Sequence, residues 1–516
     1  MNIHDEKILI IDFGSQTTQL IARRIREQKV YCEIHPFSIP LSTIREMAPT
    51  GIVLSGGPAS VYDSDAPLSD PGLFDLGVPV LGICYGAQLM IHQMGGKVEQ
   101  AEKREFGKAD LTVQYTEGIF AGLETGIAHH QVWMSHGDRV EVVPEGFVTT
   151  AVSDHSPYAA LRHTEKPFVA VQFHPEVAHT LIGTDVLRNF IFGLCKCSPS
   201  WTMSSFIDST VEAVRQKVGG AKVICALSGG VDSSVTAALV HRAIGDQLTC
   251  IYVNNGLMRT GESESILRFF REKTKLKVID VNAEDFFLGE LDSVVDPEVK
   301  RKRIGLGFIK IFEEEANKLG EVDYLAQGTL YPDVIESVSF RGEAPIKSHH
   351  NVGGLPEVMK LDLIEPLREL FKDEVRVLGL ELGLPEEAIY RQPFPGPGLG
   401  IRIMGEVTGE RLDIIRKADV IVLEEMKKSG WYRKVWQSFA VLLPIQTVGV
   451  MGDGRTYENV IALRSVDSRD AMTADWSKLP YELLGIISNR IINEVRGVNR
   501  VVFDISSKPP ATIEWE

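Results

Sequence analysis

Short apolar runs that end in glycine-rich turns and lead into helical periodicity recur through the first half of the chain. Lys7–Asp12 runs into Phe13-Gly14-Ser15, and Gly51–Leu54 into Ser55-Gly56-Gly57-Pro58. Val78–Ile83 runs into Cys84-Tyr85-Gly86, Lys222–Leu227 into Ser228-Gly229-Gly230, and Leu248–Val253 into Asn254-Asn255-Gly256. None alternates polar with apolar positions, so each predicts a strand buried on both faces, and hence parallel sheets covered by helices. Ligands collect at the carboxyl ends of such strands, where these turns fall.

The pattern breaks twice. Cys195–Thr202 (CKCSPSWT) reads as a linker, and Gln392–Gly400 (QPFPGPGLG) is a Pro/Gly cluster that neither helix nor sheet can absorb. Beyond it the order changes to a helix over Glu410–Ser429, strands around Val441–Met451, Val460–Val466 and Val501–Ile505, and a helix near Tyr481–Val495. The expected architecture is α/β: two doubly wound, mostly parallel-sheet domains, over 1–198 and 199–391, followed by a small α+β domain over 392–516. A length of 516 residues gives the same count at about 150 residues per domain.

Composition narrows the function classes. With 44% apolar and 24% charged residues the chain has the make-up of a folded domain protein. Lys plus Arg is 54 against 70 Asp plus Glu, a net charge of −16, which lacks the positive footprint that nucleic acid requires. The six cysteines are sparse and irregular, which argues for a reducing compartment over a disulfide framework. Ile8–Ile11 is too short for a secretory core, and no stretch approaches the roughly 18 apolar residues of a spanning helix. The expectation is a cytoplasmic protein with no membrane and no nucleic-acid partner.

Two constellations carry chemistry. Gly82-Ile83-Cys84-Tyr85-Gly86 has the form G-x-C-x-G between a strand and a helix, the thiol counterpart of a nucleophile elbow. The following helix N-terminus favours a thiolate and supplies an oxyanion N–H, and the Ser55–Pro58 turn offers a second. A thiolate needs a base. The strand Phe168–Phe173 ends in His174-Pro175-Glu176, where Glu176 can hold one imidazole nitrogen while the other faces Cys84. His129, His130 and His136 give a metal alternative, which no Cys or carboxylate spacing supports. The second constellation is Ser228-Gly229-Gly230-Val231-Asp232-Ser233-Ser234, between a strand and the helix Val235–Ala243. Glycines let the backbone approach phosphate and the helix N-terminus attracts it. The loop lacks G-K-[ST], so it is not a Walker A loop, and Asp232 suits a Mg²⁺ ligand or a group behind one.

The first constellation resembles the class I glutamine amidotransferases, over about residues 7–195. That resemblance implies that Cys84 attacks the carboxamide of glutamine and releases ammonia. It also implies that Gly57, Tyr85 and Gln88 bind the oxyanion or glutamine, and that Trp133–Asp138 lies near the glutamine pocket. The heptad resembles the PP-loop of ATP pyrophosphatases, which implies ATP binding by Ser228–Ser234 and AMP transfer to a substrate oxygen. AMP makes that oxygen a good leaving group, which ammonia can displace. Further segments decide the substrate. Asp296–Gly305, Gln327–Ser337, Lys347–Asn351 and Ser507–Glu516 resemble the glutamine-hydrolysing GMP synthase family over essentially the whole chain. This implies XMP, ATP and glutamine as substrates, Mg²⁺ with the ATP and no prosthetic group. Arg303 and Lys508 would neutralise the XMP phosphate, Glu514 would accept from base or ribose, and Lys347, His349 and His350 would sit on a lid. Asp333 would be a second Mg²⁺ candidate, Glu336 would share its pyrophosphate or base role, and the C-terminal domain would form a homodimer.

Overall fold

The computed structural model describes residues 3–125, 129–274, 276–337, 361–451, 454–468 and 473–516. The chain forms two compact units, one ending at Ser209 and including 332–337, the other holding 210–331 and 361–516.

In the first unit, β1 (Lys7–Asp12), α1 (Thr18–Glu27), β2 (Tyr31–Pro36), α2 (Leu41–Met47), β3 (Gly51–Leu54), β4 (Val80–Ile83) and α3 (Tyr85–Gln93) follow the expected strand–turn–helix rhythm. The chain then runs through β5 (Lys97–Val113), β6 (His129–Val142), β7 (Phe147–Ser153), β8 (Ala160–His163) and β9 (Phe168–Val171), and ends in α4 (Gly183–Arg188) and a π-helical turn at Asn189–Leu194. One nine-stranded sheet results, in the order β2-β1-β3-β4-β9-β8-β7-β5-β6. Pairing is parallel from β2 to β9 and antiparallel from β9 to β6. β1, β3, β4 and β9 are buried almost throughout, as strands covered on both faces must be. β6 alternates instead: Val132, Met134 and His136 are buried and Ser135 is exposed. The Cys195–Thr202 segment is packed rather than free. Cys195, Cys197 and Trp201 are buried, and the Trp201 ring meets Tyr31 and His4.

α5 (Met203–Val218) leads into the second unit. There β10 (Val223–Leu227), α6 (Val231–Ile244), β11 (Leu248–Asn254), α7 (Glu262–Phe269), β12 (Val278–Asn282), α8 (Glu284–Glu290), α9 (Pro297–Lys318) and β13 (Tyr324–Ala326) precede a short helix, α10 (Tyr331–Ser337). β14 (Asp362–Ile364), α11 (Lys372–Glu381) and α12 (Glu386–Ile389) complete a five-stranded, wholly parallel sheet, β12-β11-β10-β13-β14. After the Pro/Gly segment come α13 (Gly409–Lys428), β15 (Gln437–Met451), β16 (Gly454–Asp467), β17 (Asp475–Trp476), α14 (Tyr481–Glu494) and β18 (Val498–Asp504). β16 pairs antiparallel with β15 and β17 and parallel with β18. One apolar core joins Ile224 and Ile251 of the parallel sheet to Leu399, Ile415, Ala440 and Ile461 beyond the Pro/Gly segment. No helix among the described residues is long and apolar enough to cross a membrane.

Candidate active sites

β4 delivers Cys84 to a turn whose backbone only a committed structure would hold. Cys84 has φ 51° and ψ −107°, a conformation that costs a non-glycine residue of order 1–3 kcal/mol. What holds it is the close approach of the turn to β3. A Cβ on Gly86 would lie 2.3 Å from the Leu54 carbonyl oxygen, and the Gly86 N–H donates to Ser55 O at 2.9 Å. The Cys84 N–H donates to Val171 O at 2.8 Å, which ties the elbow to β9.

β9 stops at Val171, two residues short of the strand expected over Phe168–Phe173, and the chain turns so that His174 N–H donates to Trp133 O at 2.9 Å. His174 then meets the thiol. A Cβ built on Gly56 would touch both His174 Cε1, at 3.1 Å, and Cys84 Cβ, at 3.7 Å. On its far side His174 Nδ1 is 2.8 Å from Glu176 Oε1, the same oxygen that accepts from Thr17 Oγ1 at 2.7 Å. Glu176 is fully buried. Burial alone would favour the neutral ring, but hydrogen bonds to Cys84 and Glu176 and the Glu176 charge outweigh it. They raise His174 to about 10, a ring that holds its proton at neutral pH.

The walls of this site come from residues far apart in sequence. Gly57 lies against Phe13 and the Tyr85 ring, and the Tyr85 hydroxyl donates to Pro67 O at 2.8 Å. The Tyr85 amide opens α3 and so has no intrahelical acceptor. Gln88 Nε2 donates to Asp138 O at 2.9 Å and to Gln172 Oε1 at 3.1 Å. The Asp138 carboxylate accepts from the hydroxyls of Ser60 and Tyr62. His136 sits behind it, with Nδ1 2.9 Å from Asp138 O and Nε2 3.4 Å from Glu105 Oε2. His130 Nε2 lies 3.0 Å from Glu124 O, the side chain of His129 is outside the described residues, and no metal-binding group of three or more His, Cys, Asp or Glu occurs among the described residues.

The phosphate loop forms between β10 and α6 as expected. Gly229 has φ +74°, and a Cβ there would collide with Ile266 Cδ1 at 2.3 Å. The serines stitch the loop: Ser228 Oγ is 3.0 Å from Ser233 Oγ, Gly230 N–H donates to Ser228 Oγ at 3.3 Å, and Ser234 Oγ donates to Gly230 O at 2.7 Å. Val231 starts α6, directly after Gly230. Two cations that the motif did not reveal complete the loop. Lys372, at the start of α11, pairs with Asp232 Oδ2. Arg391 pairs with Glu262 and donates to Gly229 O at 3.0 Å. Asp232 Oδ1 is buried without a hydrogen-bond partner among the described residues.

The residues expected around XMP are placed unevenly. Glu514 accepts from buried Arg402 at 3.0 and 3.2 Å and from Gln437 at 2.7 Å. Lys508 pairs through its backbone with Ala474. Arg303 is turned outward and donates to Glu290 O at 2.7 Å. The cations of that run that meet the 507–516 segment are Lys300, buried against Glu516, and Arg301. A helical stripe reveals Lys300: it is buried with Ile304, Gly307 and Ile311, at spacings of four, three and four, and Arg303 lies off that stripe. Asp333 lies in the first turn of α10, in the first compact unit. The Glu336 side chain, Lys347, His349 and His350 are outside the described residues.

Three family models match in succession: glutamine amidotransferase class-I over residues 9–194, NAD synthase over 203–288, and the GMP synthase C terminal domain over 424–515. A protein of Desulfotalea psychrophila named GMP synthase (glutamine-hydrolyzing) is 75% identical over 100% of both chains. Proteins of the same name from Heliobacterium modesticaldum and Maridesulfovibrio salexigens are 61% and 60% identical over 99% of this chain and 99% and 100% of their own. The thiol elbow, the serine-stitched phosphate loop and these full-length matches agree: the chain belongs to the glutamine-hydrolyzing GMP synthase family.

Proposed function

We infer that the chain makes GMP from XMP at the expense of ATP, with glutamine as the nitrogen donor, and that two sites divide the work. The reading rests on one observation above all. A single chain carries a thiol on a strained elbow beside a buried His–Glu pair, and also a serine-stitched glycine loop that opens directly into a helix N-terminus.

In the first site Cys84, its proton already transferred to His174, attacks the carboxamide carbon of glutamine as the thiolate. The oxyanion forms where the amides of Gly57 and Tyr85 can donate. His174 returns the proton to the departing nitrogen, ammonia leaves, and water hydrolyses the glutamyl thioester to glutamate. Glu176 keeps the imidazole oriented and supports its charge. In the second site an XMP oxygen attacks the α-phosphorus of ATP and pyrophosphate departs. Ammonia then adds at the adenylylated carbon, and AMP leaves. Ser228–Ser234 would cradle the leaving pyrophosphate, with Lys372 exchanging Asp232 for phosphate oxygens. Mg²⁺ fits this loop, because Asp232 has one buried oxygen with no partner among the described residues, and a magnesium site needs only one or two carboxylates beside phosphates. When bound, the ion supplies positive charge to the pyrophosphate. Segment 507–516, held by Lys300, Arg301 and Arg402, would present Lys508 to the XMP phosphate.

The reading includes three functional segments, 1–198, 199–391 and 392–516, and a cytoplasmic homodimer. Val448 and Tyr457, opposite each other on β15 and β16, are exposed together with Val450, which suits a second copy of the C-terminal sheet.

The test is GMP formation by Cys84→Ala with glutamine and, separately, with ammonium salts. Synthesis from glutamine should vanish and synthesis from ammonium should persist, best at higher pH where more ammonia is unprotonated. A variant still active with glutamine removes Cys84 as nucleophile, and a folded variant inactive with both donors removes the two-site reading.

A further inference from the structure

The first site contains a polar side chain that the proton transfer between Cys84 and His174 does not use. Gln172 lies between β9 and His174, almost wholly buried, with its backbone N–H fixed on Ala159 O at 2.9 Å. Its amide nitrogen is 3.7 Å from Cys84 Sγ. Which end of the amide faces the sulfur follows from the neighbours. Asp138 O can only accept, so the Gln88 atom 2.9 Å from it is the NH2 group. That same nitrogen is 3.1 Å from the near atom of the Gln172 amide, which must then be its oxygen. The Gln172 NH2 group is left pointing at Sγ.

The surroundings make this contact consequential. Ser135 O is 3.6 Å from Sγ on the β6 side, an acceptor that favours the protonated thiol. Of the ionisable groups on the elements packed around Cys84, His174 faces the sulfur with Glu176 behind it. Asp138 and His136 on β6 are engaged with Ser60, Tyr62 and Glu105, and Tyr85 turns its hydroxyl to Pro67. Among the described residues, Gln172 is thus the side-chain donor, besides His174, that meets the sulfur. Charge-assisted hydrogen bonds are about twice as strong as neutral ones, so an N–H aimed at sulfur favours thiolate over thiol. We propose that Gln172 is a thiolate-stabilising donor of the glutaminase site, oriented by a relay from Asp138 O through the Gln88 and Gln172 amides to Cys84 Sγ. It offsets the Ser135 carbonyl and holds negative charge on sulfur after the proton has moved to His174.

The proposal rests on Cys84 being the nucleophile, and the test keeps the two claims apart. The full-length enzyme is inactivated with iodoacetamide across pH, and thiolate ultraviolet absorbance is followed in parallel. All six cysteines are buried and Cys84 alone has an imidazole beside its sulfur among the described residues, so the fast phase should disappear in Cys84→Ala. Gln172→Met keeps the side-chain volume and removes the donor, and Gln172→Leu repeats the test should the first variant fold poorly. The midpoint of the fast phase should rise by about one pH unit, leaving roughly tenfold less thiolate below it. A folded Gln172→Met or Gln172→Leu variant with the wild-type midpoint overturns the donor role while leaving Cys84 in place. Persistence of the fast phase, and of glutamine-dependent synthesis, in Cys84→Ala overturns the nucleophile itself and the proposal with it.

Discussion

Replacing Lys300 with Met should cost the second unit about 3 kcal/mol. Lys300 is fully buried, and its ammonium donates to Ile403 O at 2.7 Å and Gly400 O at 3.4 Å and pairs with Glu516 Oε2, itself almost completely buried. All three N–H groups are used. Met fills the aliphatic space but leaves a buried carboxylate without its cation, a loss of about 3–5 kcal/mol in comparable pairs. Two contacts soften it: Gly405 N–H still donates to Glu516 Oε1 at 3.2 Å, and Arg301 still holds the Glu516 carbonyl. The lower end of the range therefore applies. For a unit of this size that corresponds to a fall in Tm of about 6 °C. Calorimetry of Lys300→Met, Glu516→Gln and the double variant is the assay. The double variant should lose at least about 1 kcal/mol less than the sum of the singles, because removing both partners removes the orphaned charge. Burial lowers the Lys300 ammonium against the upward pull of Glu516, so the pair should fail at lower pH than an exposed lysine would. A Lys300→Met variant within about 1 kcal/mol of wild type, with segment 507–516 as protease-resistant as before, would refute the reasoning.

Three other outcomes follow from the two sites. Gly86→Ala places a methyl 2.3 Å from the Leu54 carbonyl oxygen and should destabilise the first unit by about 1–3 kcal/mol, read from urea midpoints; an unchanged midpoint would mean that the elbow can move off β3. Lys372→Met should slow pyrophosphate release at least tenfold with either nitrogen donor, since a charge-assisted contact of about 1.5–3 kcal/mol is lost; unchanged ATP kinetics would remove Lys372 from the loop's chemistry. His174 is raised from 6.5 to about 10, so its stabilising charge is fully present below pH 6.5 and is lost as pH rises through 10. The stability difference between wild type and His174→Gln should shrink over that window, and a difference that stays constant contradicts the Glu176 and Cys84 pairing.

The parallel strands were legible because burial on both faces leaves an unbroken apolar run, and the Cys84–His174–Glu176 set because the elbow and the H-P-E spacing are local. The antiparallel half of the first sheet was not. β5 is interrupted by the charged run at 102–105 and a register shift there, and β6 alternates only over Val132–His136, so no continuous apolar run announces either. Lys372 was invisible for a different reason: it reaches Asp232 across 140 residues, and a lone lysine at a helix start carries no signature. The family resemblance of the 296–305 segment points to Arg303, whereas helical phase identifies Lys300 as the member of that run inside the core. The CKCSPSWT segment had a linker's composition, but its large aromatic, Trp201, is buried in the first unit.

The backbone at Cys84 sets stability against activity at a single residue. Glycine occupies a φ of 51° without penalty, and every other residue pays for its Cβ there. Cys84→Gly should therefore unfold at a higher temperature than wild type, while Cys84→Ala keeps the strain and gains nothing. Only the need for a sulfur atom keeps a side chain at this position. In a lineage freed from hydrolysing glutamine, the elbow would be expected to drift to glycine, and the residue at 84 would record whether the first site is still in use.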